Sequence, residues 1–162
     1  MPQNDAQMDA LIEALRSLKN LFALSLPNSV DALANSDQVV KLKHALLDLK
    51  HISRLDLSYC NLRSHLSLLL GGTRPHMSYL NLKDCRLTDA DMYFLRHWRC
   101  LPHLRELNLS SNNLSGQDDV IFRIIERMKR IVCFSVSFCS LSIHSQAMLA
   151  RHCKECSKLK VV

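Results

Sequence analysis

Seven cysteines and eight histidines in 162 residues are the side chains with the widest chemical repertoire in this chain. They could ligate zinc, supply a thiolate nucleophile or close disulfides. The densest candidate is "HCKEC" at 152–156, where Cys153 and Cys156 stand in Cys-x-x-Cys spacing beside His152. A structural zinc site needs four ligands, yet no second Cys/His pair follows at the usual distance and no glycine forms a knuckle turn. Leu149, Cys153 and Cys156 instead fall at i, i+4, i+7, one stripe of a helix. A redox pair would open a helix after a strand, whereas this one lies near a helix end. Cys85 in "LNLKDCRLTDAD" (80–91) is the second candidate. No serine stands in a G-x-S-x-G elbow, and there is no Walker loop and no G-x-G-x-x-G. The adjacent Gly71 and Gly72 in "LLGGTRP" end a helix and turn the chain. Trp98 in "YFLRHWRCL" is expected on a buried helix face. No catalytic, cofactor-binding or metal residues are expected, and the chain is read as non-enzymatic.

Composition narrows the classes further. The chain is 48% apolar with three glycines and four prolines, enough for one domain with a sizeable core. No apolar run approaches the ~20 residues of a membrane span. The first residues carry Asp5, Asp9 and Glu13 where a signal peptide needs an unbroken apolar stretch. An odd cysteine count without an export signal argues against a disulfide framework and for a cytoplasmic or nuclear protein. The net charge of +6 gathers partly in "RMKR" (127–130) and "RHCKECSKLK" (151–160). No aromatic stacking residues are interleaved, so nucleic acid is not the expected partner.

The elements that would position these residues come from an internal repeat. "ISRLDLSYCNL" from 52, "MSYLNLKDCRL" from 77, "LRELNLSSNNL" from 104 and "IVCFSVSFCSL" from 131 all fit L-x-x-L-x-L-x-x-N/C-x-L. Leu55, Leu80, Leu107 and Phe134 recur at nearly even intervals, and one more such step reaches Val162 as the start of another repeat. "LKNLFALSL" (18–26) is an earlier, less regular member. In each x-L-x-L-x core, alternation sends the leucines to one face of a short strand. Ile121, Ile124, Ile125 and Met128 then follow helical spacing. Thr88 and Ser115, with Asp91 and Asp118 three positions on, are expected N-caps. Strand, turn and helix make one coil of a right-handed solenoid, with a concave parallel sheet and convex helices. The expected fold is therefore an α/β leucine-rich repeat superhelix, a single domain over 1–162 with about five repeats and the start of a sixth.

Cys85 now shares one slot with Cys60, Asn112 and Cys139. The slot lies in the turn that leaves the strand and points inward, so it takes a small group able to donate to turn carbonyls. Neighbouring slots lie about 4.8 Å apart, so a Cys60–Cys85 metal bridge is geometrically conceivable. One rule that covers three cysteines and one asparagine favours a buried plug.

The positions expected to face solvent form columns along the concave face. They are Arg54, Tyr79, Glu106, Cys133; then Asp56, Asn81, Asn108, Ser135; then Ser58, Lys83, Ser110, Ser137; and Tyr59, Asp84, Ser111, Phe138. Large aromatics at Tyr59, Tyr79 and Phe138 answer no need of the fold, and tyrosine is a common interface anchor. Arg54, Asp56, Tyr59, Tyr79, Lys83, Asp84, Glu106 and Phe138 are accordingly the candidate partner-binding residues, with another protein as the partner.

"LDLSYCNL", "YLNLKDCRLTDADMYFL", "LRELNLSSNNLSG" and "LARHCKECSKLKVV" resemble the repeat region of the PRAME family over roughly 50–162. The resemblance implies a non-enzymatic substrate-recognition subunit of a cullin-RING ubiquitin ligase, with related roles in repressing transcriptional or inflammatory signalling. One departure bears on this. The nearest approach to an elongin-binding box, "SLKNLF" at 17–22, has Phe22 where the cysteine belongs. A cullin-RING contact would then run through a region absent here, and the chain is expected to be a segment of a longer protein. The alternative expectation is a generic repeat scaffold, an inhibitor or innate-sensor fragment, without a ubiquitin role.

Overall fold

Helix α1 (Asp5–Ser17) leads into five strand–helix units and a final strand. They are β1 (Ala23–Ser25) with α2 (Ser36–Asp48), β2 (Arg54–Asp56) with α3 (Leu66–Leu70), and β3 (Tyr79–Asn81) with α4 (Asp89–His97). Then come β4 (Glu106–Asn108) with α5 (Asp118–Arg127), β5 (Cys133–Ser135) with α6 (Ile143–Glu155), and β6 (Lys160–Val161). The computed structural model describes residues 5–28, 35–73, 76–155 and 160–161. All six strands pair in parallel in chain order.

Register confirms the repeat alignment from Leu24 through Leu55, Leu80, Leu107 and Phe134. It corrects the last step, because Val161 and not Val162 stands opposite Phe134. The step from Phe134 to Val161 then equals those from Leu80 to Leu107 and from Leu107 to Phe134. Each of the first four junctions opens on one shared acceptor. The Phe22 carbonyl takes the N–H groups of Ser53 and Arg54, and that of Ser53 takes those of Ser78 and Tyr79. The Ser78 carbonyl does the same for Arg105 and Glu106.

Alternation buries Leu55, Leu57, Leu80, Leu82, Leu107 and Leu109 between sheet and helices, together with Ile121, Ile124, Ile125 and Met128 of the α5 stripe. Helix α1, which the repeat signature does not announce, buries Met8, Ile12 and Leu15 at helical spacing and packs on α2. The shorter step from Leu55 to Leu80 holds α3, a helix of five residues. Gly71 closes that helix where a Cβ would lie 2.5 Å from the Ser67 carbonyl oxygen, and Gly72 turns the chain at φ +87°.

Two local expectations change. Thr88 caps α4 in a full capping box with Asp91, but α5 starts behind Gln117, not Ser115. Gly116, at φ +77°, turns Ser115 away from the helix start. Asp118 instead accepts from the N–H and hydroxyl of Ser142 in the next unit. Its carboxyl titrates below the usual range through hydrogen bonds from Ser145 and Ser142, which outweigh the opposing effect of burial. Trp98 is buried but lies just past α4, where its indole N–H donates to the Leu70 carbonyl at 3.3 Å and Thr73 Oγ1 at 3.2 Å. Asp91 does more than cap its own helix. Fully buried, it also accepts from Ser64 N at 2.8 Å and Leu66 N at 3.0 Å, tying the previous unit's turn to α4.

Candidate protein-binding surface

The exit from each strand is a tight turn with two side-chain supports. At the last strand position, Asp56, Asn81 and Asn108 accept the N–H two positions on, from Ser58, Lys83 and Ser110, at 2.9–3.1 Å. These are Asx turns, which end the strand while leaving the next backbone N–H satisfied. Asp56, expected among the partner contacts, thus has a structural role on the concave face. Ser58 and Ser110, expected outward, are buried. The curl of the turn brings them under their neighbours, and Ser110 Oγ accepts from Ser137 N at 3.2 Å.

The inward slot holds Cys60, Cys85, Asn112 and Cys139, all buried. The thiols of Cys60, Cys85 and Cys139 donate to the carbonyls of Leu26, Leu57 and Leu109 at 3.0–3.2 Å. Asn112 fills the slot more completely. Its amide donates to Leu82, Leu109 and Ser110, and its oxygen accepts from Cys85 N and Leu87 N. Burial pushes the Cys85 thiol well above the ordinary range, the opposite of what a nucleophile or metal ligand needs. Among the described residues no group of three or more His, Cys, Asp or Glu is placed to hold a metal. The Cys153 side chain and Cys156 lie outside the described residues.

One position before that slot, the chain takes a left-handed conformation in every unit, at Asn28, Tyr59, Asp84, Ser111 and Phe138, with φ from 50° to 62°. The sequence columns place Tyr59 and Phe138 among the outward strand positions. They sit instead on turn tips, at the rim where the strands end. Neighbouring units hold this turn, as the Tyr59 N–H donates to Lys83 O at 2.7 Å and the Asp84 N–H to Ser110 O at 2.9 Å. Tyr59 is 42% exposed and Phe138 89%.

Strands β2 to β4 gather the remaining candidates. The Arg54 guanidinium lies over the Tyr79 ring, 4.1 Å from its centroid, and reaches Glu106 two strands away at 3.5 Å. Tyr79 is half-buried, and that burial, helped by Asp56, holds its hydroxyl above the ordinary tyrosine range. Lys83 stands 5.2 Å from the Tyr59 ring centroid, and its ammonium is pushed up chiefly by the Tyr59 hydroxyl. Two cation–aromatic pairs therefore lie side by side. Asp84 stays on an exposed turn tip, and Phe138 is three units from Tyr59. Sequence spacing predicts the columns but not the Arg54–Glu106 pairing across Tyr79, which depends on side-chain length over two strands.

Comparison with known proteins agrees with this geometry. Residues 74–95 and 100–117 match the family model described as Leucine Rich repeat. The fold is a leucine-rich repeat solenoid. Among solved structures, the chain is similar to the tropomodulin C-terminal domain of Caenorhabditis elegans, with a TM-score of 0.68 and 17% identity over 91% of each chain. That likeness concerns the fold alone. Leucine-rich repeats are binding scaffolds built on extended concave surfaces, and no helix among the described residues is long and apolar enough to cross a membrane.

Proposed function

We propose that the chain is a non-enzymatic protein-binding module that holds its partner on the concave sheet and the adjoining turn rim. The carrying observation is the cluster of Arg54, Tyr79 and Glu106, held over three in-register strands with its cation–aromatic and ionic contacts already made. Anchors ordered before binding lose little entropy when a partner covers them. Tyrosine and arginine are both enriched in interface hot spots, and here they stand side by side.

The finer form of the reading is substrate recognition beside a cullin-RING ligase, in the cytoplasm or nucleus. It rests on the PRAME-like residues of 50–162 and is tested separately, by co-purification of elongin and cullin subunits with the natural full-length product.

Quantitative affinity capture tests the module itself, comparing the native chain with Tyr59→Ala/Tyr79→Ala and with His44→Ala/Asp48→Ala on the outer face of α2. We expect a partner that the α2 variant retains and the tyrosine variant loses about tenfold or more, equal to ~1.4 kcal/mol. Loss by the α2 pair with retention by the tyrosine pair would move the binding face to the helices.

A further inference from the structure

We propose that the outer groove between α4 and α5 is a second docking site, for an acidic peptide segment of a protein partner. Arg96, His97, Arg123, Glu126 and Arg127 line an open groove of about 470 Å³ on the helical back. Three guanidinium groups face one carboxylate there, a surplus of two positive charges with the histidine neutral. Among the described residues, none of the three arginines is in an ion pair, although Glu126 lines the same groove.

Helix ends explain part of this charge. Arg96 and Arg127 lie in last turns, where cations favour the helix dipole, and the Arg127 guanidinium donates to the Arg96 carbonyl at the end of α4. They do not explain Arg123. It sits in the middle of α5, one turn from Arg127 on the same face, where like charges destabilise a helix. Among the described residues no ion pair joins it to Asp119 or Glu126, its acidic neighbours at helical spacing. Arg96 and Arg123 also occupy equivalent places in their repeats, equally far along the chain from the paired Leu80 and Leu107, so the solenoid sets them side by side. A bound carboxylate relieves that repulsion and takes two parallel hydrogen bonds from a guanidinium. Tyr93, 64% exposed, flanks the site with its ring 4.5 Å from that of His97, whose Nδ1 is fixed 2.8 Å from the Tyr93 carbonyl.

A peptide fits better than a nucleic acid. Single strands need successive aromatic platforms along a basic groove, and here Tyr93 is already engaged with His97. Glu126 also stands in the way of a continuous phosphate chain, while a peptide can place its carboxylates on either side of it.

The test is fluorescence anisotropy at near-physiological salt with labelled hexaglutamate and, in parallel, an oligothymidylate of matching length. Saturable hexaglutamate binding is expected, weakened about tenfold or more in Arg96→Gln/Arg123→Gln. Lys19→Gln/Lys50→Gln removes the same charge far from the groove and should change it less than about twofold. Because Arg96 is half-buried, Arg123→Glu at an exposed position serves as the second variant and should abolish binding. Equal losses in the two double variants, no saturation, unaltered binding by Arg123→Glu, or tighter binding of the oligothymidylate would each overturn the proposal.

Discussion

Positions 59, 84, 111 and 138 stand directly before positions 60, 85, 112 and 139, yet the fold treats the two series in opposite ways. The inner series is fully enclosed, and every member donates to backbone carbonyls of its own and the preceding unit. Only cysteine and asparagine appear there. What the outer series shares is a backbone constraint, all four members at positive φ. Asp and Ser suit such a site, since short polar side chains tolerate the left-handed region. Tyrosine and phenylalanine do not, and the left-handed conformation costs an ordinary residue roughly 1–2 kcal/mol. Where the fold sets the side chain, residue types converge; where it does not, bulky aromatics occupy the least favourable backbone and point to solvent. At Phe138, where an 89% exposed ring has little packing to offset it, such strain is an indication of function.

The comparison breaks most readily at Asn112. Asn112→Ala leaves two N–H groups and three carbonyls with a lost partner, so a loss of about 2–4 kcal/mol is expected from urea unfolding. Asn112→Cys, copying its neighbours, should cost less than half as much. Equal costs would mean that slot chemistry is irrelevant and only volume counts.

Thiol reactivity sharpens the same contrast. Cys85 is enclosed and its pKa raised by burial, whereas Cys133 on the concave sheet is half-buried. Site-resolved alkylation of the native protein should label Cys133 about a hundredfold faster than Cys85, with the difference vanishing in denaturant. Comparable native rates would show the inner ladder to be open.

Helix starts give a smaller effect. Thr88→Ala removes a capping box and should cost ~1 kcal/mol. Ser115→Ala, away from the start of α5, should fall within ~0.5 kcal/mol of the native chain in thermal unfolding. A reversal would put the α5 cap back at Ser115.

Much of this fold is legible in the sequence because one rule repeats. Four aligned motifs locate the strands, the buried leucines and the plug role of Cys85. One group of departures comes from a local period extended beyond its element. Alternation holds through Leu57, Leu82 and Leu109 and then ends inside the Asx turns that Asp56, Asn81 and Asn108 begin. Counting on past that point places Ser58 and Ser110 outside, and Tyr59 and Phe138 belong to turns whose left-handed backbone no strand period describes. The backward reach of Asp91 to Ser64 and Leu66, and the span of Arg54 to Glu106, link units through side chains. No spacing within one unit reports such contacts. Helix α1 is silent in the repeat pattern because it precedes the first strand and carries none of the signature.

The rim supplies the most direct test of the claim that its aromatics serve recognition and not the fold. Phe138→Asn keeps the left-handed turn and removes a side chain that is 89% exposed. Its unfolding free energy, measured by urea titration beside the native chain, should rise by about 0.5–1 kcal/mol. Tyr59→Asn should rise less, because its contact with Lys83 is lost. A fall of similar size in Phe138→Asn would show that the aromatic supports the structure, and the claim would be contradicted.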